Sequence, residues 1–190
     1  EVARTDVTGR YELTIDASDA MVFVIKPRGY LSSLNKHNLP QFHYVHKPQG
    51  SPPELKYKGV APTGPLPPSV DFPLRKRPEP DEFKVVMFGD PQPNNLGDID
   101  HMANDVIGEL IGTDAAFGMA LGDLMADLLD LYEPYNQVMA QLGIPMWNVP
   151  GNHDLNMDVR NDALSTETWK RIFGPTTYAF DYGPVHFIVL

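Results

Sequence analysis

The chain has no cysteine. Disulfides and thiolate metal centres are therefore excluded, and the redox compartment is left undecided. Basic residues are scarce: 15 Lys and Arg stand against 25 Asp and Glu, a formal charge of −10. A nucleic-acid partner held by a basic face is not expected at that balance. A phosphorylated ligand remains compatible, because bound divalent cations supply positive charge locally. No apolar run approaches the ~18 residues of a membrane helix, so no membrane span is expected. Residues 1–15 lack the basic-then-apolar pattern of a signal peptide. What is present is ordinary globular composition: 190 residues, 42% hydrophobic and 21% charged.

The texture changes along the chain. Thr5-Asp6-Val7-Thr8-Gly9-Arg10 is followed by two alternating runs, Tyr11–Ile15 and Met21–Ile25, which predict a small antiparallel sheet. Residues 27–82 hold twelve of the 19 prolines. Proline removes amide donors and blocks helices, so long loops and edge strands are expected there, with one last strand near Val70–Leu74. From Phe83 onward the spacing predicts β-α-β-α-β. The strands are Lys84–Phe88, Ala115–Leu121 and Pro145–Val149. The first helix is capped by Asp98, carries Ile99, Met102, Ala103, Val106, Ile107 and Leu110 on its apolar side, and stops at Gly112. A second helix is expected over Asp127–Leu142, stopped by Gly143, and a third from Ser165 through Phe173. Two further strands are expected at Thr177–Tyr182 and Val185–Leu190. Units of about 30 residues imply parallel strands with right-handed crossovers. The expected division is residues 1–81 as an all-β sandwich module with a proline-rich linker, and residues 82–190 as an α/β domain.

Ligands in an open parallel sheet bind beyond the carboxyl ends of its strands. All three predicted strands end in metal-type donors: Asp90 and Gln92, then Asp123, then Asn152, His153 and Asp154. Carboxylate oxygens, amide oxygens and imidazole nitrogens suit Mn, Fe, Zn or Mg. Glycine precedes each group and lets the backbone leave the sheet sharply. A single Gly-Asp after a strand is as readily a helix cap. Three such strand ends in succession are hard to explain as caps alone. A carboxylate between two cations can bridge them, and two metals can activate a water for in-line displacement.

Asp90-Pro91-Gln92, Gly122-Asp123 and Gly151-Asn152-His153-Asp154 resemble, in order and spacing, the motifs of the calcineurin-like metallophosphoesterases. The resemblance implies two divalent metal ions. Asp90 and Gln92 would bind the first, Asp123 would bridge, and Asn152 would bind the second. His153 would stabilise or protonate the scissile phosphoester, and the nucleophile would be a metal-activated hydroxide. Asp154 and Asp127 are candidates for supporting these residues from outside, and Asn94 and Asn95 for touching substrate. The implied reaction is hydrolysis of a phosphomono- or phosphodiester. Gln92 stands where many members have His. The family's Asp three residues beyond the bridging one is Ala126 here, with Asp127 one further on, which leaves a His153–Asp dyad open. Residues 1–30 resemble the β-sandwich that precedes some bacterial secreted phosphoesterases, which implies a periplasmic or extracellular location.

The family's later His ligands are not found after Asp154, where His186 is the one histidine and falls in a strand pattern. The chain is therefore expected to be a segment of a longer protein, with little or no turnover on its own. The competing reading is a non-catalytic binding or scaffolding module, and a weaker one is a Mg-dependent phosphotransferase. His43-Tyr44-Val45-His46 lacks a third donor and is not expected to hold metal. Trp147 and Trp169 are expected in the core.

Overall fold

The computed structural model describes residues 1–15 and 18–190. At the N-terminus the Asp6 carboxylate accepts from the backbone and hydroxyl of Thr8 and from the Arg10 amide, closing the expected turn at Gly9 (φ 84°). The flanking residues differ from expectation. Residues 11–15 form no strand. Instead the Tyr11 ring stacks on Phe72 and its hydroxyl donates to the Val70 carbonyl at 2.6 Å. Strand β1 (Ala20–Phe23) pairs antiparallel with β3 (His43–His46), and β2 (Tyr30–Ser32) with β4 (Leu74–Lys76). The last strand before the linker is thus Leu74–Lys76 and not Val70–Leu74. These are two separate two-stranded ladders. A hairpin alone is marginal in water, and each ladder is backed by the rest of the chain in place of a second sheet of its own.

The parallel unit follows the predicted spacing. Strands β5 (Val85–Phe88), β6 (Phe117–Leu121) and β7 (Met146–Val149) pair in that order, both pairs parallel. Between β5 and β6 run α1 (Leu96–Met102), a π-helical turn (Ala103–Ile107) and α2 (Gly108–Leu110). The helix cap is Asn95, whose side chain accepts from the Asp98 amide at 3.1 Å, while Asp98 accepts from Asn94 and Asn95 in return. Asp98, predicted as the cap, is thus the third residue of a reciprocal capping pair. The π turn delays the helical phase, so Ile107 is fully buried whereas Val106, expected on the same face, is 43% exposed. Between β6 and β7 a short 3₁₀ turn leads into α3 (Tyr132–Met139), and Gly143 at φ 70° ends the segment. After β7 come α4 (Glu167–Ile172, preceded by Thr166, whose side chain makes no capping bond) and the antiparallel hairpin β8 (Tyr178–Tyr182) and β9 (Val185–Val189).

Alternate residues of the sheet serve two cores. Val86, Phe88, Ala120 and Met146 face the helices, with Tyr132, Tyr135 and Trp169 buried among them. Phe117, Met119 and Trp147 face the β8–β9 hairpin, where Trp147 stacks on Phe180 at 4.0 Å and 4°. Each such side chain contributes on the order of 1.5–3 kcal/mol of burial. Residues from both sides of Asp81 share these cores: Leu39 and Tyr57 join the first, and Phe42 the second. Lys26 and Glu79 form a buried ion pair at 2.7 Å. Lys26 also reaches the Asp181 carbonyl, and Glu79 accepts from the amides of Gly29 and Gly183. Among the described residues no helix is long and apolar enough to cross a membrane.

Candidate active site

The carboxyl ends of β5, β6 and β7 meet around Asp123. The Gln92 amide N–H donates to the Asp123 carbonyl at 3.1 Å, and the Gln92 Nε2 lies 3.3 Å from Asp123 Oδ2. From β7's end, the His153 backbone N–H donates to Asp123 Oδ1 at 3.0 Å. Gly151 permits this closeness: a Cβ there would sit 2.0 Å from Asp123 Oδ1 and 2.2 Å from its amide nitrogen. Its own φ of −108° suits any residue, so it is the close approach that requires glycine.

Backbone strain collects at the same place. Five non-glycine residues with positive φ are found among the described residues, and four are Asp90 (45°), Gln92 (39°), Asp123 (48°) and Asp127 (66°). Such φ values cost free energy in a residue bearing Cβ and persist where surrounding contacts over-determine them. The preceding glycines were expected to make the sharp turns. Gly122 does adopt φ 101°, whereas Gly89 and Gly151 do not enter the positive region.

His153 Nδ1 lies 2.8 Å from Asp127 Oδ1. The spacing had left this pairing open, because Asp127 falls one residue late. The left-handed backbone of Asp127 and its carbonyl's bond from the Tyr57 hydroxyl at 2.9 Å hold it in reach. The Asp127 carboxylate hydrogen bond raises the His153 pKa above the usual imidazole value, against a smaller opposing effect of burial. With Nδ1 engaged, Nε2 is the ring nitrogen left for a ligand.

Asp154 lies beneath the site, with no solvent exposure. Its carboxylate accepts from the amides of Gly151 (2.8 Å), Leu124 (3.1 Å) and Met125 (3.2 Å) and from the Tyr132 hydroxyl (2.9 Å). Burial pushes its pKa above the ordinary carboxylate value despite these bonds. It ties the end of β7 to the end of β6. Asn95 spends its side-chain oxygen on the α1 cap, and Asn94 is exposed beside it, donating to Asp98 and Gln92. Asp90 and Asn152 are exposed at the rim.

Among the described residues no three His, Asp or Glu side chains are grouped to hold a metal ion. The donor-type side chains at the three strand ends are two carboxylates and two amides: Asp90, Asp123, Gln92 and Asn152. In type, their carboxylate and amide oxygens fit a hard divalent cation, and Gln92 here turns Nε2, not its amide oxygen, toward Asp123. In number they supply part of a coordination shell. His43 and His46 lie on β3, with His46 buried beside Thr63 Oγ1.

The family described as the N terminal of Calcineurin-like phosphoesterase matches residues 1–61. Over this region, less than half of the chain, the protein is similar to the calcineurin-like phosphoesterases. The match supports the resemblance drawn from the strand-end motifs, and it covers a different part of the chain from the donors themselves. No curated protein matches the chain.

Two residues inside the matched region, Lys56 and Tyr57, also line the site. Beside His153 and Asn152 lies a cleft of about 390 Å³, lined also by Lys56, Tyr57, Leu155, Met157 and Asp158. Sequence reasoning missed these residues. Lys56 and Tyr57 lie almost a hundred positions before His153 in a proline-rich stretch, and no spacing rule connects them.

Proposed function

We propose that the site hydrolyses a phosphomono- or phosphodiester with the help of divalent metal ions. The observation that supports this most strongly is the meeting of strand ends at Asp123: residues following β5 and β7 hydrogen-bond to it, and Asp90, Gln92 and Asp123 all have left-handed backbone. Asp90, Gln92, Asp123 and Asn152 would hold the metal ions, which when bound activate water and neutralise phosphoryl charge. The His153 imidazole, oriented through Nδ1 by Asp127, presents Nε2 to the ester. Its raised proton affinity suits donation of a proton to the leaving oxygen, or of a hydrogen bond to charge developing on the phosphoryl group. Asp154 takes no part in the proton transfers; it fixes the loop on which His153 rides.

The test is hydrolysis of para-nitrophenyl phosphate and its bis-ester by the intact protein, with and without added Mn, Zn or Mg, alongside elemental analysis. Asp123→Asn is expected to abolish both metal retention and turnover. His153→Asn should retain metal and lose roughly 10²–10⁴-fold in kcat, the usual worth of a positioned acid–base group. Absence of bound metal and of metal-dependent turnover in the intact protein would refute the proposal and favour a non-catalytic binding module.

A further inference from the structure

The cleft beside His153 is larger than a phosphoryl group needs, and within the range that holds the organic part of a small ligand. Its lining is mixed. Leu155 and the largely exposed Met157 supply apolar wall, and Tyr57 supplies an aromatic ring. The acidic groups Asp127 and Asp158 also line it, and Lys56 is the lining residue that carries a permanent positive charge.

Lys56 is held by two neighbours. Its Nζ is 2.8 Å from Asp158 Oδ2 and 5.0 Å from the Tyr57 ring centroid. The ion pair is open to water, with the two side chains 54% and 60% exposed. Exposed pairs of this kind contribute little, so an incoming anion can displace Asp158 at small cost. Tyr57, by contrast, is fixed. Its hydroxyl donates to the Asp127 carbonyl, and its own carbonyl accepts from Thr168 Oγ1. Asp127 in turn holds His153. The backbone that carries Lys56 is therefore tied to the His153–Asp127 pair through one intervening residue.

We infer that Lys56 is a specificity-determining residue, whose ammonium receives a second anionic group, carboxylate or phosphate, on the non-transferred part of the substrate. This rests on the reading of the site as a phosphoesterase centre. The preferred substrates are then phosphoesters whose leaving group is itself anionic, with short organic parts lying along Leu155 and Met157. On this account residues 1–61 contribute directly to substrate choice.

The experiment compares a matched pair of substrates, phosphoglycolate and ethyl phosphate, with the intact metal-supplied protein, reading phosphate release. The non-hydrolysable phosphonoacetate and ethylphosphonate are compared by calorimetric binding. The wild type is expected to favour the carboxylate-bearing member by about tenfold in kcat/KM and in affinity, the size of one charge-assisted contact. Lys56→Met should bring the preference to within about twofold, mainly through a higher KM for phosphoglycolate and with a smaller effect on ethyl phosphate, and Lys56→Arg should keep the preference. Equal loss on both substrates would place Lys56 on the transferred phosphoryl group and overturn the inference, as would a wild type without preference. Hydrolysis without preference defeats this inference alone. Lys56-dependent binding without hydrolysis defeats the phosphoesterase reading alone, and binding of neither phosphonate defeats the inference.

Discussion

Replacing Asp154 tests whether the strand ends are held together by one buried carboxylate. Four donors converge on it: the amides of Gly151, Leu124 and Met125 and the Tyr132 hydroxyl, all within 2.8–3.2 Å. Asp154→Ala strands all four. A stranded buried donor costs about 1–3 kcal/mol. The low end applies here, because burial works against the charged carboxylate and raises its pKa, so part of what the bonds contribute is already offset. The expected loss is about 4 kcal/mol. For a chain of this size that corresponds to a fall in Tm of roughly 8–16 °C. Asp154→Asn keeps one acceptor oxygen and sets an NH2 group against the remaining donors, for about 2 kcal/mol. Tyr132→Phe removes a single donor, for about 1 kcal/mol, and its effect should largely vanish in the Asp154→Ala background, since the partner is already gone. Urea denaturation followed by tryptophan fluorescence reads all three, because Trp147 and Trp169 lie in the two separate cores. A loss below about 1 kcal/mol for Asp154→Ala with an unchanged m-value would refute the reasoning. So would full additivity with Tyr132→Phe.

Burial depresses the His43 pKa from 6.5 to about 4, so below pH 6.5 the unfolded chain takes up a proton that the folded chain does not. Stability tied to His43 is present above pH 6.5 and is lost as pH falls toward 4. The loss is roughly 1.5 kcal/mol between pH 6.5 and 5, and a pH-stability slope unchanged in His43→Gln would contradict it. Lys26→Met leaves Glu79 buried without its cation and should cost about 3–5 kcal/mol in urea denaturation. Adding Glu79→Leu should recover only part of this, because the amides of Gly29 and Gly183 then lose their acceptor; full recovery would mean those bonds contribute nothing.

The parallel strands and their helices could be read in the sequence because each is specified locally. Apolar residues recur at strand and helix spacing, and Gly112 and Gly143 adopt the positive φ that ends a helix. The Tyr11–Ile15 run shows the limit of that reading. Its alternation is as regular as that of Met21–Ile25, but a strand exists only with a partner. Strand β1 takes β3 as its partner, with Val22 opposite Tyr44, while Tyr11 is used by Phe72 and Val70. The four metal-type donors could be named from strand ends alone. The Lys56–Tyr57 wall could not, since it depends on Tyr57 packing into the helix-side core. The His153–Asp127 pair is intermediate: both residues were visible, but the left-handed turn that lets a carboxylate one position late reach the imidazole was not.

That turn belongs to a wider division of labour. Glycine before a donor is usually credited with bending the chain out of the sheet. Here Asp90, Gln92, Asp123 and Asp127 adopt the left-handed conformation themselves, and Gly151 serves to let β7's end approach Asp123. A side chain on a left-handed backbone projects differently from its neighbours, so the strain changes the direction in which each donor leaves the chain. It has to be offset by contacts that persist without any ligand. Asp154, with four donors and no exposure, supplies them for the ends of β6 and β7. Gln92, by contrast, is held by one backbone bond to Asp123 and two long contacts, from its own Nε2 to Asp123 and from Asn94 Nδ2 to its carbonyl. The ends of β6 and β7 are therefore pre-organised by the protein, and the end of β5 is the part on which a bound cation would have most ordering left to do.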